Sequence, residues 1–166
     1  ILRDGKVYNN KKAADTLAFY PDGTMRSFRP GEITAEALLA DGVQNTFSFG
    51  PTLVRDGKVV PGLQKMRLSV PNPRTAVGMV APRHYILVVV DGRSRRYSRG
   101  MTFDELARVF TEYGCTLAYN LDGGRSATMT FMGENVNQYG GSKTGQRSVL
   151  DALMFGQSMR VPADSA

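Results

Sequence analysis

The 166 residues predict one domain, residues 1–166, of mixed α/β composition and the α+β type. The expected core is a twisted, mostly antiparallel sheet with a few helices packed on it. Three observations point there. Asp-Gly occurs six times, and tight hairpin turns prefer that pair because both central residues of a type I′ turn need positive φ. Runs of strand length lie between these turns. Only two stretches carry helix signals, and both are short.

Taken in order, Arg3-Asp4-Gly5-Lys6-Val7 is echoed by Arg55-Asp56-Gly57-Lys58-Val59. Both read as hairpins rather than as a repeat, because their flanks differ. Residues 17–25 form a hairpin about Asp22-Gly23. Residues 34–40 read as a helix capped by Thr34 and ended by Gly42. Residues 52–60 are the hairpin about Asp56-Gly57. Residues 74–80, bracketed by Pro71, Pro73 and Pro82, pair with 85–90 through the turn 81–84. Residues 102–113 are the stronger helix. Thr102 and Glu105 make a capping box, Gly114 closes it, and Leu106, Val109, Phe110 and Tyr113 share one face. Residues 116–121 read as a buried strand, 127–132 as the next, and 149–155 as a last apolar strand. Residues 133–146, rich in Gly, Asn and Ser, read as one long surface loop.

Composition excludes several classes. Hydrophobic residues at 42% against 22% charged describe an ordinary globular chain, not a disordered one. The longest apolar run, 85–90, cannot span a membrane. One cysteine excludes a disulfide framework and a thiolate cluster within the chain, and one histidine excludes a two-histidine metal motif. The net charge of +6 draws polyanions: nucleic acid, anionic lipid or phosphate-bearing polymer. The chain opens at Ile1 without a signal-type segment, which reads as a processed chain or a piece of a longer one.

Three segments can carry chemistry. In Asn120-Leu121-Asp122-Gly123-Gly124-Arg125-Ser126-Ala127-Thr128-Met129 a strand ends in a carboxamide and a carboxylate. The glycines after it let the backbone bend and turn N–H groups toward an anion. An ordinary Asx-type turn is the other reading of the same residues. Asp91 leaves its strand in the same manner, followed by Arg93, Arg95, Arg96 and Arg99, and a plain turn with a solvated basic loop is its alternative. Arg74 enters a sheet among small apolar residues. A guanidinium there needs a partner, either a structural carboxylate or a substrate carboxylate or phosphate. His84, in a turn beside Arg83, reads as solvated and inert. Cys115 reads as a buried structural thiol.

The order of Phe47-Ser48-Phe49-Gly50-Pro51-Thr52-Leu53-Val54, Pro73-Arg74-Thr75-Ala76-Val77-Gly78, Val89-Val90-Asp91-Gly92-Arg93, residues 102–106, Gly114-Cys115 and the Asn120–Met129 run resembles the phosphodiester glycosidase family. The resemblance covers about residues 45–155, and Asn-Leu-Asp-Gly-Gly is its most specific part. It implies a hydrolase that splits the bond between a sugar anomeric carbon and a phosphate oxygen, in bacteria on a cell-envelope or exopolysaccharide substrate. On that reading Arg74 and the backbone of Gly123 and Gly124 serve the phosphate. Asp91 and Asp122 serve as base, nucleophile or oxocarbenium stabiliser, and Asn120 and Ser126 orient sugar hydroxyls. Arg125 and Ala127 stand where the family's glycine-rich version has a third glycine and a second serine. The family's early asparagine-glycine and aromatic motif is not found within residues 1–46, which implies a missing upstream segment.

The partner implied is a phosphate-bearing glycan, and the location implied is extracellular or at the cell envelope. No cofactor is expected. A divalent ion on Asp91 and Asp122 would find suitable oxygen ligands, but no dense carboxylate cluster argues for it. A competing reading is a non-catalytic module that binds anionic glycans. Nucleic-acid binding through the 93–99 arginines is set aside, since no recognition helix or stacking platform accompanies them.

Overall fold

Among the described residues, a five-stranded and a three-stranded antiparallel sheet stack between two helices, and two further two-stranded hairpins complete the sheet structure. The structure is a computed structural model that describes residues 1–9, 14–138, 147–149 and 151–156. In chain order the elements are β1 (Leu2–Arg3), β2 (Lys6–Val7), β3 (Thr16–Phe19), β4 (Met25–Phe28), α1 (Ala35–Ala40), β5 (Thr46–Ser48), β6 (Thr52–Arg55), β7 (Lys58–Val59), β8 (Arg74–Ala81), β9 (His84–Val90), α2 (Phe103–Glu112), β10 (Leu117–Asn120), β11 (Thr130–Phe131) and β12 (Glu134–Asn135). Single 3₁₀ turns lie at Leu63–Lys65 and Gly124–Ser126.

The larger sheet has the order β7-β6-β10-β8-β9, the smaller β4-β3-β5, and every pairing in both is antiparallel. The period-2 alternation of the strands sorts side chains to the two faces of each sheet. Ala76 and Ala118 face α2, where they meet Phe103, Leu106, Ala107 and Phe110. Val77, Met79, Leu117 and Tyr119 face the smaller sheet and meet Leu17, Met25 and Phe47. Ala18 points out of the smaller sheet to Ala35 and Leu38 of α1. The layers therefore run α2, large sheet, small sheet, α1.

The two helices lie where their caps predict. Thr34 accepts from the Ala37 N–H, and Thr102 and Glu105 form the reciprocal box. Both Arg-Asp-Gly-Lys-Val segments are hairpins, with positive φ at Asp4, Gly5, Asp56 and Gly57. Three expectations fail. Of residues 127–132 only Thr130–Phe131 is strand, because the Asn137 side chain, not a neighbouring strand, holds 127–129: it donates to the Ala127 carbonyl and accepts from the Met129 N–H. The start of the expected 133–146 loop closes the β11–β12 hairpin, and 139–146 lie outside the described residues. The described residues of 149–155 are in no strand. They are anchored by side chains: Phe155 against the Tyr85 ring at 5.7 Å, Leu153 on the core between the sheets, and Asp151 paired with Arg3 at 2.8 Å.

The α2 cap gives a first prediction. Thr102→Ala is expected to cost about 1 kcal/mol, as loss of an N-cap typically does. For a domain of this length that is roughly 2–4 °C in Tm by thermal melting. Glu105 has a lowered pKa because Arg99 donates to it and because the Thr102 main chain does the same. Its contribution is complete above the ordinary carboxylate pKa of about 4.3. It is lost as pH falls through the lower folded value. Glu105→Gln should therefore destabilise the protein at neutral pH and do so less in acid.

Candidate active site

β9 and β10 both run antiparallel to β8, so they end at the same edge of the sheet, where β8 begins. Their exits hug that beginning. The Leu121 N–H donates to Thr75 O at 2.8 Å and the Gly124 N–H to Pro73 O at 2.9 Å. Close approach explains the two glycines there. An added Cβ would stand 2.6 Å from Pro73 O at Gly123 and 2.8 Å from Pro73 N at Gly92. Asp91 and Asp122 are thus delivered to opposite flanks of Pro73-Arg74. His84 starts β9 at the far end of the sheet and is exposed.

The Asp122 carboxylate accepts from the Gly123 N–H at 2.9 Å and from Arg147. The same Arg147 Nη2 donates to the Ser126 hydroxyl at 2.6 Å. Asp91 accepts from Asn137 Nδ2 and from the Gln138 N–H, each at 3.0 Å. It also accepts from the Tyr97 phenol, whose pKa is raised by that hydrogen bond and by the carboxylate charge. Because Asn137 also donates to Ala127 O at 3.0 Å, both acids are tied to the segment Ser126-Ala127. Arg147 and Asn137 carry no sequence signal. Each lies in or beside a stretch that reads as loop, and only the folded chain brings them to the aspartates.

Arg74 is buried, and its partners are neither a carboxylate nor open space. Nε donates to Met101 O at 2.9 Å, and Nη2 to Leu68 O and Val70 O, each at 2.7 Å. The guanidinium lies 4.1 Å from the Phe103 ring centre. Burial first, and the Arg93 charge second, lower its pKa to about 10. Arg74 fixes the 68–70 and 101 loops against the helix. The glycine amides are also committed, Gly123 N–H to Asp122 Oδ1 and Gly124 N–H to Pro73 O. Asn120 is buried and gives Nδ2 to Gly50 O at 2.7 Å, which ties β10 to the start of β6. Its Oδ1, with the hydroxyls of Thr75 and Thr128, is buried without a partner among the described residues. Each such unpartnered atom costs about 1–3 kcal/mol.

Arg93 follows Asp91 with φ +59°. Its Nε donates to Asn72 Oδ1 at 3.2 Å, and an added Cβ at Gly124 would stand 3.0 Å from its Nη2. Among the described residues no group of three or more His, Cys, Asp or Glu side chains gathers as an ion site, and no helix is long and apolar enough to cross a membrane.

The end of the sheet where β8 begins thus carries two acids with exposed arginines beside them. The comparison with known proteins gives the class. The chain belongs to the phosphodiester glycosidase family, whose match runs over residues 1–156 and so takes in the N-terminal part beyond the 45–155 motifs. It is 34% identical over 161 residues to the SPbeta prophage-derived uncharacterized protein YomE of Bacillus subtilis (strain 168), covering 92% of this chain and 24% of that protein. The catalytic domain of zebrafish N-acetylglucosamine-1-phosphodiester alpha-N-acetylglucosaminidase, solved auto-inhibited by pro-peptide, superposes with a TM-score of 0.68 at 25% identity, over 89% of this chain and 53% of that one. A Burkholderia pseudomallei protein shares the fold with a TM-score of 0.55 at 23% identity, over 86% and 38%. The chain therefore spans about a quarter of the curated relative and about half of the zebrafish structure.

Proposed function

We propose that the protein hydrolyses a sugar-1-phosphodiester, releasing free sugar and a phosphate monoester, on a cell-envelope or exopolysaccharide-type glycan outside the cytosol. The observation that carries this reading is the convergence of the Asp91 and Asp122 loops on one sheet edge, beside the exposed Arg93 and Arg147. Family membership supports it.

The reaction breaks the bond between the anomeric carbon and the phosphate oxygen. The hydroxyl of water goes to the carbon and its proton to the departing phosphate monoester. That group leaves readily, so proton donation to it matters less than in ordinary glycosidases. What the site must supply is positive charge beside the phosphate oxygens and a carboxylate beside the anomeric carbon. Asp122, at the accessible mouth of its loop, takes the second task. Asp91 is a positioning residue, since its carboxylate holds Asn137, Gln138 and Tyr97. The Ser126 hydroxyl, which Arg147 joins to Asp122, is the polar group beside the acid that can meet a sugar hydroxyl, while Asn120 is buried and ties β10 to Gly50.

The test is release of phosphate monoester from an N-acetylglucosamine-1-phosphodiester and from a panel of other sugar-1-phosphodiesters. Release from at least one is expected. Tight binding of anionic glycan with no release from any would overturn the reading in favour of a binding module.

A further inference from the structure

We propose that Arg93 and Arg147 are the pair that grips the substrate phosphate, and that Arg147 exchanges Asp122 for that phosphate when ligand binds. The inference rests on the phosphodiester reading of the site. Arg74 is buried on three carbonyls, and the N–H groups of Gly123, Gly124, Ser126 and Ala127 are all spent on Asp122, Pro73, Gly123 and Gly124. Those four amides can hold an anion only if the turn opens, and Nε and Nη2 of Arg74 are committed to the 68–70 and 101 carbonyls.

Besides Arg125, which belongs to the turn and is exposed, two guanidiniums from elsewhere in the chain reach it. Arg147 reaches it at Asp122 and Ser126 and is half exposed. Arg93 reaches it at Gly124, where its Nη2 would be 3.0 Å from an added Cβ. Its left-handed backbone is a conformation that non-glycine residues rarely adopt, and the Asn72 side chain fixes its Nε. The planar forks match phosphate oxygens, which a glycine amide or a lysine point charge does less well.

The pairing of Arg147 with Asp122 gives the site an order of events. In the free protein the carboxylate and a phosphate compete for one cation. A bound phosphate that takes Arg147 leaves Asp122 without its counter-charge, beside the sugar. The acid is thereby released only when substrate is present.

Binding of methyl phosphate, a monoester of the product class, tests this without turnover. By titration calorimetry, Arg147→Gln and Arg93→Gln are each expected to weaken binding tenfold or more. Arg108→Gln, whose residue pairs with Asp104 on α2, controls for net charge and should change nothing. Asp122→Asn removes the competitor and should bind several-fold more tightly than wild type. Failure of wild type to bind, unchanged binding in Arg147→Gln or Arg93→Gln, or no tightening in Asp122→Asn would each overturn the proposal. Circular dichroism of each variant confirms that the fold is kept. If the binding pattern holds while no sugar phosphodiester is turned over, the grip stands and the reaction falls. If turnover occurs with binding insensitive to Arg147, the reaction stands and the grip falls.

Discussion

Asp122→Asn is expected to remove turnover and leave the fold in place. Asparagine has the same shape, and its Oδ1 still accepts the Gly123 N–H that shapes the turn. What disappears is the negative charge beside the anomeric carbon and the ability to take a proton. Loss of such a group typically costs roughly 10²–10⁴-fold in rate. The drop should lie in kcat, with substrate affinity held or improved. Phosphate monoester release measures it, and a thermal melt alongside separates chemistry from unfolding. Full activity in a folded variant would take Asp122 out of the reaction.

The largest stability effect is expected under α2. Phe110 is fully buried, and Gly78 of β8 lies directly beneath it. A Cβ at Gly78 would stand 2.5 Å from Phe110 Cδ1 and 2.8 Å from Cys115 Sγ, closer than real atoms approach. Phe110→Ala should cost about 3–5 kcal/mol, for lost burial plus the cavity left behind. Gly78→Ala should cost about 1–3 kcal/mol by overpacking. In the double variant the new methyl group sits in part of the vacated space, so its cost should be less than the sum of the two single-variant costs. Urea unfolding of all four proteins checks this. Strict additivity would mean that the methyl group collides elsewhere.

Local chemistry was the legible part of the sequence. Asp4-Gly5 and Asp56-Gly57 declare their turns because few other pairs tolerate two positive φ values in succession. Thr102 and Glu105 declare a helix start because both halves of the box lie within one turn. The two aspartates were legible for a related reason, each standing where an apolar run breaks at a glycine. Partners distant along the chain were not legible. Arg74 required a counterpart, and the sequence offered only a choice between carboxylate and substrate. Main-chain carbonyls carry no sequence letter, and three of them took it. Arg147 lies 25 positions from Asp122, in a stretch without hydrophobic period to register it. Residues 149–155 are apolar enough to suggest a strand, yet side-chain anchoring serves burial as well as a ladder does.

The placement of β8 between β9 and β10 has a further consequence. The strands that carry the two acids are two ladder spacings apart, about 9.5 Å across the sheet. That gauge is set by main-chain hydrogen bonds from Arg74 to Ala81 and owes nothing to the loops beyond. The exposed stretches 95–96 and 130–136 lie outside the gauge and make none of the contacts that hold the acids. Mutations there can accumulate and re-shape which polymer is accepted while the spacing of the acids is inherited unchanged. The architecture thus separates what a lineage can vary from what it must keep.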